Sequence, residues 1–179
     1  MVNVPKVLAV TFSLLIVGTL LAVPALSQEM EKTPASLKVG DVIGDDLMVT
    51  TMGGEKIPLK KGFEKEYNLI QFMTTACSAC RSELMDIMVF QDSVKDKLAI
   101  YPIAMDMAGV PAVERYEKKM MLGVTYLLDT EFTLPPLFGF NSTPSIAILD
   151  KEGKVLYTKA GYMPSKKAEL ESELSAIVK

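Results

Sequence analysis

The chain has 179 residues, enough for one domain with a real core. Its net charge is −3, and −4 without residues 1–27, which excludes the basic field that a nucleic-acid binder needs. Two cysteines are too few for a disulfide-stapled scaffold.

Residues 1–27 hold one base, Lys6, and no acid. Val7 to Val23 is an apolar run softened by Thr11, Ser13, Gly18 and Thr19, and Pro24-Ala25-Leu26-Ser27 follows. A basic start, an apolar centre and small residues at the end predict a secretory signal peptide. The run is also near the lower limit for a spanning helix, so an N-terminal membrane anchor is the rival reading. Pro24 and the small residues favour cleavage. In either case Lys6 stays inside and the rest of the chain lies outside. The domain is therefore expected to be exported, periplasmic or on the outer face of the cytoplasmic membrane, with membrane contact only through residues 7–26 if they are kept.

Residues 28–36 are polar and read as a linker, and 37–179 as the folded domain. Leu37 to Leu59 alternates loosely around Gly53-Gly54, a hairpin-turn signal. Tyr67 to Thr74 reads as a buried strand and residues 78–94 as a helix, with Leu84, Ile87, Met88 and Val94 at helical spacing. Leu98 to Met105 is a second buried strand. Val110 to Leu122 is a helix opened near Pro111 and closed by Gly123. Val124 to Leu128 is a short strand, and Asp129 to Phe140 a loop with one helical turn at Pro135-Pro136. Ser145 to Asp150 and Lys154 to Ala160 form a hairpin across Lys151-Glu152-Gly153. Leu170, Leu174, Ile177 and Val178 mark a last helix. The order predicts an α/β sandwich with a mixed sheet.

The two cysteines form Cys77-Ser78-Ala79-Cys80, where the first strand runs into the first helix. A thiol at a helix N-terminus faces free N–H groups and the positive end of the helix dipole. Both favour the thiolate, the nucleophile of disulfide exchange. Cys80 lies one turn further in, placed to resolve a mixed disulfide formed by Cys77. A structural bridge would be a poor staple, because so short a loop constrains the unfolded chain little. A zinc site would need about four ligands, and the chain has no further cysteine and no histidine. No cofactor and no metal are expected.

With these elements in place, the chain resembles the thioredoxin superfamily, specifically the TlpA/ResA-type exported thiol–disulfide oxidoreductases that overlap the redoxin grouping. The resemblance spans about Leu37 to Val178. One segment that carries it is Phe72-Met73-Thr74-Thr75-Ala76-Cys77-Ser78-Ala79-Cys80-Arg81-Ser82-Glu83-Leu84. The other is Asn141-Ser142-Thr143-Pro144-Ser145, followed by the strand–turn–strand that starts at Ile146. The resemblance implies a thioredoxin-like three-layer sandwich with an N-terminal β-hairpin extension. It implies Cys77 as attacking thiolate, Cys80 as resolving thiol and a redox-active Cys77–Cys80 disulfide. It implies Glu83 as the active-site acid, a cis bond before Pro144, and substrate binding at Thr143 and Pro144 by local strand addition. It also implies protein thiol or disulfide substrates, a membrane thiol-transfer electron donor, and a role as reductant in cytochrome c maturation or in general envelope thiol reduction.

The chain departs from the family pattern in three places. Met73 and Ala76 stand where tryptophans are usual, and Ser78-Ala79 replaces the proline between the cysteines. No atom that exchange chemistry needs is lost.

Several residues have plainer readings. Pro144 also reads as an ordinary turn proline, Glu83 as a solvated helix residue and Arg81 as a surface charge. Met85, Met88, Met105, Met107, Met120 and Met121 read as core filler rather than soft-metal ligands. The sequon Asn141-Ser142-Thr143 is read as chance. Three rival functions remain. A redoxin-type peroxidase is disfavoured by Ile70, where its motif has proline. A thioredoxin-fold metal-delivery module lacks the histidine it would use. A redox-inactive interaction module would require inert cysteines.

Overall fold

The computed structural model of the chain describes residues 36–94 and 96–179, all within the unit Pro34–Lys179. The leader expected over residues 1–27, and all of the linker but Ser36, lie outside the described residues. Among those described, no helix is long and apolar enough to cross a membrane.

The sheet grows from strands whose alternation buries both faces. A hairpin of β1 (Met48–Thr51) and β2 (Lys56–Pro58) turns at Gly53-Gly54. It joins the central strands β3 (Tyr67–Met73) and β4 (Leu98–Ala104), the two-residue β5 (Leu127–Leu128), and the hairpin β6 (Ser145–Asp150) and β7 (Val155–Ala160). Seven strands among the described residues form one mixed sheet in the order β2-β1-β5-β4-β3-β6-β7. The neighbours β3, β4 and β5 run parallel, and β6 runs antiparallel to β3. The C-terminal ends of β3, β4 and β5 and the N-terminal end of β6 therefore meet at one edge, where the connecting loops gather.

Three helices are present among the described residues: α1 (Ser78–Val94), α2 (Val110–Met120) and α3 (Lys167–Ile177). All three pack one face of the sheet. Leu84, Ile87 and Phe90 of α1, Val113 of α2, and Leu170 and Leu174 of α3 share a core with Leu69, Ile100, Ile146 and Ile148. The opposite face buries Ile70, Phe72, Ile103, Ala147 and Leu149. Its covering layer is mostly irregular, made of Ile43, Leu47 and Leu59 with a short 3-10 turn at Pro135–Phe138. This completes the thioredoxin-like three-layer sandwich, with its N-terminal hairpin on the sheet edge.

Some boundaries differ from expectation. The strand expected over Val124–Leu128 pairs only at Leu127 and Leu128, with Thr51 and Thr50 of β1 on one side and Ile103 and Ala104 of β4 on the other. Helix α2 ends at Met120, since Met121 turns left-handed with φ 51° and Gly123 follows at φ 69°. The methionines are not uniformly core filler: Met105 is buried, but Met85, Met107 and Met121 are exposed.

Candidate active site

Strand β3 delivers the chain to a tight turn. The Met105 N–H donates to the Met73 carbonyl at 2.9 Å, and the Cys77 N–H donates to the Thr74 carbonyl at 3.0 Å. Asp106, just beyond β4, accepts from the Thr75 N–H at 2.9 Å and the Thr75 hydroxyl at 2.6 Å. These contacts fix where α1 begins.

Cys77 caps that helix. Its carbonyl accepts from the Arg81 N–H at 3.2 Å, the first helical bond. Its Sγ accepts from the Cys80 N–H at 3.1 Å. A side chain at this position normally supplies oxygen to the free N–H groups of the first turn; here sulfur takes that place. Cys77 and Cys80 form a disulfide with S–S 2.08 Å and Cα–Cα 5.3 Å. Cys77 is half-buried, while Cys80 is fully buried under the helix. Of the two sulfurs, Cys77 is the more accessible to a partner.

Beneath the disulfide lies a polar pair within the apolar core. Gln71 and Glu83 are both 0% exposed. Gln71 Nε2 donates to Glu83 Oε2 at 2.7 Å and to the Cys80 carbonyl at 3.0 Å. Glu83 Oε1 and Gln71 Oε1 have no partner among the described residues. Burial raises the Glu83 carboxyl to about 7, against the Gln71 hydrogen bond and the Lys159 charge, which favour ionisation. Glu83 is thus not the solvated helix residue of the plainer reading: it projects from α1 toward the sheet. Such a carboxyl can hold or release a proton near neutral pH.

The Thr143–Pro144 bond is cis. Pro144 is buried, and its carbonyl accepts from the Gly161 N–H at 2.7 Å. Ser145, next in the chain, is opposite Phe72 on β3. Thr143 lines a pocket with Thr74, three residues before Cys77. The fold thus gathers Cys77, Cys80 and Glu83 in one place and brings the Thr143–Pro144 loop to the same edge. Among the described residues, no cluster of His, Cys, Asp or Glu has the makings of a metal site.

Gln71 and Asp106 were not singled out from sequence. Gln71 had a signal: it is the amide within Leu69-Ile70-Gln71-Phe72-Met73, an otherwise apolar strand. Asp106 had a weaker one, the first acid after a buried strand.

The chain is similar to known proteins in sequence and in fold. The profile of the family described as Redoxin matches residues 24–174. The chain is 25% identical over 156 residues to the sporulation thiol-disulfide oxidoreductase A of Bacillus subtilis, covering 86% of this chain and 89% of that one. It is 30% identical over 139 residues to the thioredoxin-like protein YneN of the same organism, covering 72% and 76%. In fold it is similar to a Chlorobium tepidum structure assigned as a thiol:disulfide interchange protein DsbE, with TM-score 0.67, 23% identity, and coverage of 80% of this chain and 100% of the other.

Proposed function

We propose, from the premise that this chain belongs to the Redoxin family and is of its TlpA/ResA type, that it is a thiol–disulfide oxidoreductase acting on protein cysteines through Cys77 and Cys80. The observation that carries this reading is the Cys77–Cys80 disulfide, which caps α1, the helix that also carries the buried Glu83.

In this reading, the reduced pair begins each cycle. The Cys77 thiolate, favoured by the helix N-terminus, attacks one sulfur of a substrate disulfide. The substrate S–S bond breaks, a mixed disulfide forms, and the other substrate sulfur leaves as thiolate. Cys80 then gives its proton to Glu83 and attacks Cys77 Sγ. The mixed disulfide breaks, the second substrate thiol departs, and the Cys77–Cys80 bond remains. Two electrons pass from the pair to the substrate. Thr143 and Pro144 hold the substrate segment in extended form beside the cysteines.

The reading extends to place and partners. The leader over residues 1–27 takes the domain out of the cytoplasm, where it is cleaved or kept as an anchor. A membrane thiol-transfer donor returns the pair to the reduced state. The chain then works as a reductant, with cytochrome c maturation as its pathway.

The test is stoichiometric. Fully reduced protein is mixed with a peptide disulfide, and released thiol is counted alongside protein mass. The expected result is one peptide disulfide reduced per chain, with the protein losing two hydrogens. No thiol release, or release without oxidation of the protein, contradicts the proposal.

A further inference from the structure

Phe132 breaks two local rules at once. It adopts φ 58°, a left-handed conformation that glycine takes freely and a bulky side chain rarely does. Its side chain is also left 46% exposed, so it gives up much of the gain from burying an aromatic ring.

The segment around it is firmly held. Asp129, 6% exposed, accepts at its carboxylate from the Thr133 N–H at 3.0 Å, the Thr133 hydroxyl at 2.8 Å and the Leu134 N–H at 2.8 Å. The Phe132 N–H donates to the Asp129 carbonyl at 3.2 Å. Leu134 is 1% exposed and anchors the segment in the core. The ring is therefore presented outward by an ordered turn. A local rule broken without a packing gain is expected at functional positions.

The ring borders a pocket of about 330 Å³ whose walls include Thr74, Met105, Pro135, Phe140 and Thr143. No charged side chain lines it. Thr74 leads into Cys77 and Thr143 precedes Pro144, so the pocket continues from the reactive site rather than standing apart from it. Its volume is at the low end for small-ligand sites, which suits one bulky side chain.

We propose that Phe132 and this pocket form a specificity subsite that takes a bulky apolar side chain next to the substrate's reactive cysteine. The substrate class is then a polypeptide disulfide flanked by large aliphatic or aromatic residues. This rests on the oxidoreductase reading above.

The test compares two peptide disulfides that differ only in carrying Leu or Ser beside each cysteine. Supplied fully reduced, the wild-type chain is expected to favour the Leu peptide by about tenfold in the second-order rate constant of a single turnover. Phe132→Gly suits the backbone conformation, so the variant should fold, as checked by its melting curve. It should bring the ratio close to one, while Phe132→Leu should retain most of the preference. Equal use of both peptides by the wild-type chain overturns the subsite but leaves the oxidoreductase reading standing. A preference that survives Phe132→Gly also overturns it, including where that variant only weakens self-association. Turnover of neither peptide overturns both.

Discussion

Gln71 Nε2 lies 2.7 Å from Glu83 Oε2 and 3.0 Å from the carbonyl of Cys80. One amide thus ties the buried acid to the main chain of the buried cysteine. The amide comes from a central strand and the acid from the helix that carries the disulfide. The position of the carboxyl is therefore set by how α1 docks on β3, not by a mobile surface side chain.

Glu83 should impose a pH dependence on folding. Its carboxyl titrates at about 7 in the fold against an ordinary 4.5. Because the folded value is raised, the native state holds the proton more tightly than the unfolded chain. The favourable contribution is complete below pH 4.5 and is lost as pH rises through 7. The loss is on the order of 3 kcal/mol. Urea unfolding of the oxidised protein at pH 4.5 and pH 8 should show this decline, and Glu83→Gln should remove most of it. An equal decline in the variant would assign the effect to other groups.

Gln71→Leu takes away the donor that Glu83 and the Cys80 carbonyl share. The expected cost is about 1–3 kcal/mol. It should be larger above pH 7 than below pH 4.5, because the lost donor serves the ionised carboxylate best. The same unfolding measurement checks this. A cost independent of pH would assign the contribution of Gln71 to the Cys80 carbonyl and to packing, not to the carboxylate.

Phe132 and Gln71 mark where the sequence stopped being legible. The helix over residues 78–94 and the strand over residues 145–150 matched expectation, because apolar periodicity and turn residues bound them on both sides. The cysteine pair was legible as chemistry because its spacing and its strand-to-helix context are local. Gln71 gains its meaning only once α1 lays Glu83 over β3, a contact between residues twelve apart in the chain. The left-handed turn at Phe132 depends on Asp129 bonding forward to Thr133 and Leu134, and phenylalanine itself gives no hint of it. The exposed Met107 follows Asp106 in the loop beyond β4, where hydrophobicity alone suggested the core.

Asp106→Ala should loosen the approach to Cys77. Two hydrogen bonds to Thr75 are lost, at an expected cost of about 1–3 kcal/mol in stability. Peptide-disulfide turnover should fall with them, since Thr75 is two residues from Cys77. Thermal unfolding and thiol-release rates on one sample suffice. Unchanged values in both would show that the turn is held by the backbone bonds of Met73 and Thr74 alone.

After reduction, the accessible and buried sulfurs should differ in reactivity. Iodoacetamide should modify Cys77 well before Cys80, given that Cys80 is fully buried. Mass mapping of the partly alkylated protein reads this directly. Faster modification of Cys80 would reverse the assignment of nucleophile.

Trapping of mixed disulfides tests the division of labour between the cysteines most directly. In Cys80→Ala, attack by Cys77 proceeds but resolution cannot, so covalent adducts with disulfide substrates should accumulate on non-reducing gels. Removing Cys77 as well, by Cys77→Ala in the same chain, should abolish them. Adducts that persist without Cys77, or a Cys80→Ala protein that forms none with a disulfide the wild-type chain reduces, would contradict the mechanism.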